Sequence, residues 1–332
     1  MYPIMFTIPG LNLPIYSYGV MLGVSLIIGW YVVLGLGKRD GLSREWMSSC
    51  YVWTAVFAII GARLLYILTN LDEFQDPKRM LEFRQGGLVA YGGFLGGFFG
   101  SWWYARRNRS NPRVDFVTWA DAVVPSLATG LLFTRIGCLL YGCDFGGRIT
   151  SESPGWVRSL AMKFPNWATR FPEMAQRFRG GSGCSGPLNG SPAYGWHVKH
   201  YGLDQAAHWS YAVHPTQIYE AAVGLFLFGV LMLVRWKLRR FTGQLFLVFV
   251  IMYGIIRTLL EFIRDDPERG GIQSASTSQI IGLGTAILAI VGYYYMLRRA
   301  KAHPDKALWR PAEAAATAPV TKGRKPRSKK RR

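Results

Sequence analysis

Long apolar runs alternate with short polar segments along this chain. A helix that crosses a bilayer needs roughly 20 mostly apolar residues. Seven stretches approach that length, at residues 15–36, 47–69, 88–104, 116–140, 216–236, 241–263 and 279–297. The third is the least apolar because glycine recurs along it, but small residues at these spacings let helices pack closely in lipid. The pattern therefore predicts seven transmembrane helices.

The composition indicates the same class of protein. Of 332 residues, 50% are hydrophobic and only 17% are charged, whereas a soluble domain has roughly a quarter of its residues charged. The formal net charge of +20 would suggest nucleic-acid binding in a soluble protein, but no water-soluble core accompanies it. The four cysteines are irregularly spaced and match no zinc pattern. We therefore expect no nucleic-acid partner, no metal and no cofactor.

The distribution of lysine and arginine predicts which side of the membrane each loop faces. Loops 38–44, 106–113 and 235–240 and the segment 298–332 are basic and fall on one side, which the positive-inside rule makes cytoplasmic. The expected fold is an all-α integral membrane protein with its N-terminus outside, its C-terminus cytoplasmic and an extracytoplasmic insertion over residues 141–215. Residues 1–297 would form the membrane domain, and 298–332 a disordered basic tail beside anionic headgroups.

Three arginines interrupt the apolar runs, at positions 63, 135 and 257. An arginine near the middle of a span costs about 2.5–3.5 kcal/mol on insertion scales, so each must face partners or water inside the bundle. Arg257, Glu261 and Arg264 recur at helical spacing and form one stripe, which an internal ion pair would also explain. Glu220 is the only other carboxylate at that depth. The arginines therefore outnumber the carboxylates, which leaves positive charge uncompensated. Such a group favours an anionic ligand, and a phospholipid fits.

Three short segments combine glycine with polar residues. Residues 86–97 read GGLVAYGGFLGG, in which paired glycines predict a bent backbone around Tyr91, or close helix packing for Gly96 and Gly97. Residues 134–148 read TRIGCLLYGCDFGGR and predict a helix that opens at its outer end. Residues 212–221 read AVHPTQIYEA, in which His214 can cap a helix whose first residue is Pro215.

Together these motifs resemble the prolipoprotein diacylglyceryl transferase family of bacterial membrane enzymes. The resemblance covers about residues 14–297 and includes Tyr18-Gly19, the glycine-rich segment 86–97, the RIG-to-GR segment 135–148, HPTQIYE at 214–220 and the R-x3-E-F-x-R pattern at 257–264. It implies transfer of the diacylglyceryl group of phosphatidylglycerol to the lipobox cysteine thiol of preprolipoproteins, with glycerol phosphate released. It also implies a bacterial plasma-membrane location and membrane lipid as a partner.

The resemblance assigns roles to individual residues. Arg135 and Arg257 match the family's essential arginines and would hold the phosphate as it leaves. The implied catalytic residues are Arg135, Arg257, Tyr91, His214 and Tyr18. The implied substrate-binding residues are Arg135, Arg257, Arg63, Glu261, Arg264, Gly92, Gly93, Gly142, Gln217 and Glu220.

Departures from the family pattern leave the proton acceptor open. Some members have histidine at the position of Tyr91, and an ordinary tyrosine, with a pKa near 10, is a poor base. His214 is the alternative base, or it only orients Gln217 and Glu220. Tyr141 is a further departure. A second hypothesis is therefore a non-catalytic phospholipid- or lipoprotein-binding relative, or a transporter.

Overall fold

The computed structural model describes residues 1–10, 13–71, 87–108, 116–170, 190–265, 271–272 and 275–303. Helices dominate, and each of the seven predicted apolar runs forms one long helix. In chain order the helices are α1 (Ser17–Gly37), α2 (Arg44–Thr69), α3 (Ala90–Arg107), α4 (Phe116–Tyr141), α5 (Gly155–Ser159), α6 (Trp167–Arg170), α7 (Pro192–Tyr201), α8 (Thr216–Leu233), α9 (Gln244–Glu261) and α10 (Thr277–Ala302).

Six of the long helices are apolar and long enough to cross a membrane, counted over the described residues. The helix that falls short in hydropathy is α3, because glycines, tryptophans and two terminal arginines dilute its apolar residues. The last helix, α10, continues to Ala302, beyond the predicted boundary at 297. The rest of the predicted basic tail, from residue 304, lies outside the described residues.

The predicted helical architecture is confirmed, and two short pairs of strands accompany the helices. Strands β1 (Ile4–Ile8) and β2 (Leu13–Tyr16) form an antiparallel pair before α1. Strands β3 (Gly271–Ile272) and β4 (Ala275–Ser276) pair in the same way before α10. Both pairs immediately precede a long helix, and their backbone groups find partners in a short antiparallel ladder without a full sheet.

Close glycine contacts hold neighbouring long helices together. A Cβ added to Gly61 of α2 would lie 2.9 Å from the Cα of Gly96 of α3. A Cβ added to Gly224 of α8 would lie 2.7 Å from the backbone nitrogen of Leu132 of α4. These distances leave no room for a side chain, so the backbones approach as small residues allow in membrane proteins. They confirm packing as the role of Gly96.

The predicted insertion contains a small core of its own. Phe145, Phe164, Ala193 and Val213 are buried together, and isolated bridges tie residue 213 to residues 148 and 162. Burial, followed by the charge of Arg148, lowers the pKa of His197 in this region to about 4. The described parts of the insertion, residues 141–170 and 190–215, therefore form a packed cap over one end of the bundle.

A buried ion cluster joins the helices at the opposite end of the bundle. Arg239 donates to Asp40 at 2.8 Å and to Asp121 at 2.9 Å, and all three side chains are at most 1% exposed. Asp121 also accepts hydrogen bonds from the backbone amides of Gly243 and Phe246 at the start of α9. Arg235 adds a 3.0 Å contact to Asp40. Two arginines of the basic loop 235–240 are thus structural partners as well as a topology signal.

Candidate active site

The candidate site lies where α4 ends. Gly142 adopts a left-handed conformation, with φ of 85°, and the amides of Gly142 and Cys143 both donate to the carbonyl of Cys138, at 2.7 and 3.2 Å. This is a Schellman-type helix end, which glycine favours because it lacks a Cβ. Asp144 follows with a φ of 56°, so the turn points its carboxylate back towards α4.

Four charged side chains meet at this turn and form what we call the charge network. Arg135 contacts Asp144 at 2.5 Å (Nη1–Oδ2) and Glu220 at 2.7 Å (Nε–Oε2). Arg264 contacts the same two carboxylates, at 2.5 Å (Nη2–Oδ1) and 3.0 Å (Nη1–Oε1). Positive and negative groups therefore alternate around a ring, and each guanidinium bridges both carboxylates.

The ring is most open to solvent on one side. The side chain of Asp144 is 27% exposed and that of Arg135 is 16% exposed, whereas Glu220 is 2% exposed. Burial alone would raise the pKa of the Asp144 carboxyl, but Arg135 and Arg264 beside it hold that pKa well below its usual range. Asp144 is therefore ionised at neutral pH, and it is the most exposed member of the charge network.

The first turn of α8 fixes the turn that carries Asp144. Thr216 Oγ1 donates to the carbonyl of Asp144, and Gln217 Nε2 donates to the carbonyl of Cys143, both at 2.6 Å. On the other side, the amide of Gly147 donates to the carbonyl of Ile263 at 2.8 Å. The HPTQIYE segment thus supplies one charged member of the network and holds the backbone of another.

A second ion pair lies on α9. Arg257 Nη1 donates to Glu261 Oε2 at 2.5 Å, one helical turn along, and Arg257 Nη2 donates to the hydroxyl of Ser278 at 3.3 Å. The internal ion pair that the spacing of Arg257 and Glu261 allowed is therefore present. Arg257 remains 14% exposed, whereas Glu261 is 3% exposed.

Tyr253 lies near both this pair and the charge network, and sequence reasoning missed it. Its hydroxyl is within electrostatic range of Arg135, Glu220, Arg257 and Tyr91. Tyr253 precedes Arg257 by four residues and so lies on the same helical face. That spacing was the available signal, but an aromatic residue in an apolar run usually indicates core packing. Tyr91 of α3 is thus within electrostatic range of the same hydroxyl as the arginines on α4 and α9.

Tyr18 approaches the site from α1. It is within electrostatic range of Arg135, Cys138, Cys143 and Asp144. The close approach depends on Gly137 of α4, because a Cβ there would lie 3.2 Å from Cδ2 of the Tyr18 ring. The predicted participation of Tyr18 is therefore consistent with its position.

Arg63 and the neighbouring glycines have packing contacts of their own. Arg63 is 6% exposed and donates to the carbonyl of Gly87 at 3.1 Å. Gly92 packs against α2, where an added Cβ would lie 2.6 Å from the Cβ of Leu65. The predicted bend is present at the first glycine pair only, where Gly87 has a φ of 77° just before α3 begins, whereas α3 is continuous through Gly92 and Gly93, which pack against α2. Substrate binding by Arg63, Gly92 and Gly93 stays a prediction.

His214 and Gly142 also differ from expectation in detail. The N-cap residue of α8 is Pro215, and no side chain caps the helix. His214, which was the predicted N-cap, therefore lies one residue before the N-cap. Its Nδ1 lies 3.4 Å from the hydroxyl of Tyr219, and burial lowers the pKa of His214. Gly142 ends α4 and packs against Phe164 and Ser191. A substrate-binding role for Gly142 stays a prediction.

The sequence analysis counted one carboxylate too few near the buried arginines. Asp144 follows the apolar run, so its depth could not be read from the sequence, yet it pairs with two arginines. With Glu220 and Glu261 it matches the charges of Arg135, Arg257 and Arg264. The expectation of uncompensated arginines is therefore wrong for these three arginines, and Arg63 of α2 lies outside this set. The site is a neutral, pre-formed array of donors and acceptors.

Cys138, Cys143 and Asp144 place three possible ligand atoms within 4.8 Å of one another. Their spacing in the sequence gave no metal pattern. Both oxygens of Asp144 already accept from guanidinium groups at 2.5 Å, and a bound cation would lie beside those two positive charges. The cluster is therefore a poor cation site.

Comparison with known proteins identifies the family. The sequence profile of prolipoprotein diacylglyceryl transferase matches residues 3–295. The chain belongs to this family. A phosphatidylglycerol–prolipoprotein diacylglyceryl transferase of Thermus thermophilus is 31% identical over 86% of this chain and 95% of its own length. The second such enzyme of Clostridium perfringens is 29% identical over 85% of this chain and 91% of its own length. Prolipoprotein diacylglyceryl transferases thus share nearly the whole bundle with this protein.

Proposed function

We propose that this protein transfers the diacylglyceryl group of phosphatidylglycerol to the cysteine thiol of a bacterial prolipoprotein. The observation that carries the proposal is the charge network of Arg135, Asp144, Glu220 and Arg264 beside the Arg257–Glu261 pair. Such a site within an apolar helical bundle suits a ligand that joins a charged headgroup to lipid chains. The names of the relatives specify the same donor and acceptor.

The phosphate of the donor would bind on the open side of the charge network. Asp144 is the most exposed carboxylate there, and one phosphodiester carries one negative charge, as one carboxylate does. Exchange of Asp144 for phosphate at Arg135 would keep the site neutral. Arg264 and Glu220 hold Arg135 in place before the donor arrives, which is the preorganisation that stabilises charge developing on a leaving group.

The reaction would proceed by attack of the acceptor sulfur on the glycerol carbon that bears the phosphate. A carbon–sulfur bond forms, the carbon–oxygen bond breaks, and the electron pair leaves with glycerol phosphate. Arg135 and Arg257 would stabilise the departing phosphate. The thiol proton passes to a base within hydrogen-bond reach.

Tyr91 and His214 are the two candidate proton acceptors. The lowered pKa of His214 keeps its imidazole neutral at pH 7, a form that can accept a proton. Tyr91 lies in electrostatic range of Tyr253 beside the arginines. Tyr91→Phe and His214→Gln each remove one candidate, and the variant that loses turnover while still binding phosphatidylglycerol identifies the base.

The proposed topology has seven spans in the bacterial plasma membrane, with the N-terminus outside and the C-terminus cytoplasmic. Support comes from the basic residues at the ends of α3 and α10 and from six helices long enough to cross. The charge network would then face the extracytoplasmic side, with the described parts of the insertion, residues 141–170 and 190–215, above it. Reporter fusions after α3 and after α4 test this topology. The first must report the cytoplasmic side and the second the extracytoplasmic side.

Purified protein in phospholipid nanodiscs provides the direct test. We expect a lipobox peptide to gain a diacylglyceryl thioether, and glycerol phosphate to appear, only when phosphatidylglycerol is supplied. Complementation of a strain depleted of its own transferase is the cellular counterpart. Absence of transfer by folded protein in both tests would contradict the proposed function and favour a binding protein or a transporter.

A further inference from the structure

The helix end beside the charge network places two cysteines side by side. In a Schellman motif, the residue two positions after the helix and the residue that accepts its amide bring their side chains into contact. Here those residues are Cys143 and Cys138, because the amide of Cys143 donates to the carbonyl of Cys138 at 3.2 Å. Their sulfur atoms lie within 4.8 Å of each other, and neither is in a disulfide.

We propose that Cys138 and Cys143 form a reversible intrachain disulfide that lowers the activity of the site. A disulfide needs the sulfurs about 2.05 Å apart, and rotation of the two side chains can close the remaining gap because the backbone already brings the residues together. Cys143 is partly exposed and Cys138 is 5% exposed, so a small oxidant meets Cys143 first.

The oxidation would be a thiol–disulfide exchange. The sulfur of Cys143 attacks a small disulfide, forms a mixed disulfide and releases one thiol. The sulfur of Cys138 then displaces the second thiol and completes the internal bond. Two protein thiols are oxidised and one disulfide is reduced to two thiols, and both protons leave with the released thiols or the solvent.

The bond would disturb the charge network through Asp144. Cys138 Sγ donates to Asp144 Oδ2 at 3.1 Å, the oxygen that Arg135 also contacts. In the disulfide, Cys138 has no proton to donate, and its sulfur turns towards Cys143. Asp144 loses one of its three side-chain donors, so the position of Arg135 changes.

The location suits this chemistry. In the proposed orientation the turn faces the extracytoplasmic side, where disulfides form and persist. A thiol pair that instead held a metal ion would need Asp144 or solvent to complete the site, and both Asp144 oxygens contact guanidinium groups. The effect on activity rests on the proposed function, whereas formation of the bond does not.

Peptide mapping tests the bond without reference to activity. No lysine or arginine lies between Arg135 and Arg148, so trypsin releases both cysteines in the single peptide 136–148. After treatment of the full-length protein with oxidised glutathione, we expect this peptide to be two hydrogen masses lighter and to resist alkylation. Cys50 is buried, lies on another peptide and serves as the internal control. A peptide that remains doubly alkylated, or retains zinc, would overturn the proposal.

The activity measurement compares two proteins that both carry Cys184→Ser, which removes the fourth cysteine. One retains Cys143, and the other also carries Cys143→Ser. Oxidised glutathione should lower diacylglyceryl transfer about tenfold in the protein that retains Cys143, which is about 1.4 kcal/mol in the barrier. Reductant should restore the transfer rate. Cys143→Ser should be active and insensitive. Equal sensitivity of the two would refute the regulatory part. If the bond forms but no transfer occurs in either redox state, the proposed function fails and the disulfide site stands.

Discussion

Replacement of Arg135 by lysine is the sharpest test of the charge network. The guanidinium contacts two carboxylates at once, Asp144 through Nη1 at 2.5 Å and Glu220 through Nε at 2.7 Å. Lysine keeps the charge, but its ammonium is a compact donor that cannot reproduce this planar fork. Arg135→Lys therefore separates the geometry of the arginine from its charge.

The expected magnitude follows from the hydrogen bonds that lysine cannot make. A hydrogen bond to a charged group contributes roughly 1.5–3 kcal/mol. If lysine fails to make one such bond to the leaving phosphate, kcat/KM should fall by about 10- to 150-fold, at 1.4 kcal/mol per factor of ten. Arg135→Ala also removes the charge, and removal of one preorganised donor costs about 10²–10³ in kcat. We therefore expect the order of activity to be arginine, lysine, alanine.

The assay measures diacylglyceryl transfer to a lipobox peptide in nanodiscs at several concentrations of phosphatidylglycerol. Thermal unfolding of each variant corrects the rate for the folded fraction. Arg158→Lys is the matched control, because this arginine is exposed on the cap and has no part in the network. If Arg135→Lys kept kcat/KM within roughly threefold of the parent, less than one charged hydrogen bond would be at stake, and the phosphate-binding argument would be refuted.

Three further predictions follow from other parts of the structure. Asp121→Asn should destabilise folding by about 3–5 kcal/mol, as when one partner of a buried ion pair is removed; a melting temperature equal to that of Glu45→Gln, an exposed control at the same end, would contradict this. Tyr253→Phe should lower transfer by about tenfold without changing the melting temperature, if its hydroxyl helps to position the arginines; unchanged transfer would leave it a packing role. His197 has a folded pKa of about 4, below the usual 6.5, so its protonation makes stability fall as pH drops from about 6.5 to 4. The slope of melting temperature against pH should therefore be shallower in His197→Gln, and an unchanged slope would assign the acid sensitivity to other groups.

The apolar runs determined where the long helices lie. The predicted run 116–140 became α4, Phe116–Tyr141, and the run 47–69 became α2, Arg44–Thr69. This prediction succeeds because a lipid-facing helix must pair its backbone N–H and C=O groups within itself and present an apolar surface along its whole length. The spacing of Arg257 and Glu261 likewise predicted a shared helical face, whereas the expectation that Arg264 continues this stripe is wrong, because α9 ends at Glu261.

The tertiary structure decided which charges meet. Asp144 follows an apolar run and lies 76 residues from Glu220 in the numbering, yet both contact Arg135 because a left-handed turn at Gly142 reverses the chain. Hydropathy reports the depth of residues inside a helix and carries no information about a turn that folds back onto it. For the same reason the sequence determined that arginines lie in the membrane domain, whereas only the packing of α4, α8 and α9 determined that carboxylates neutralise them.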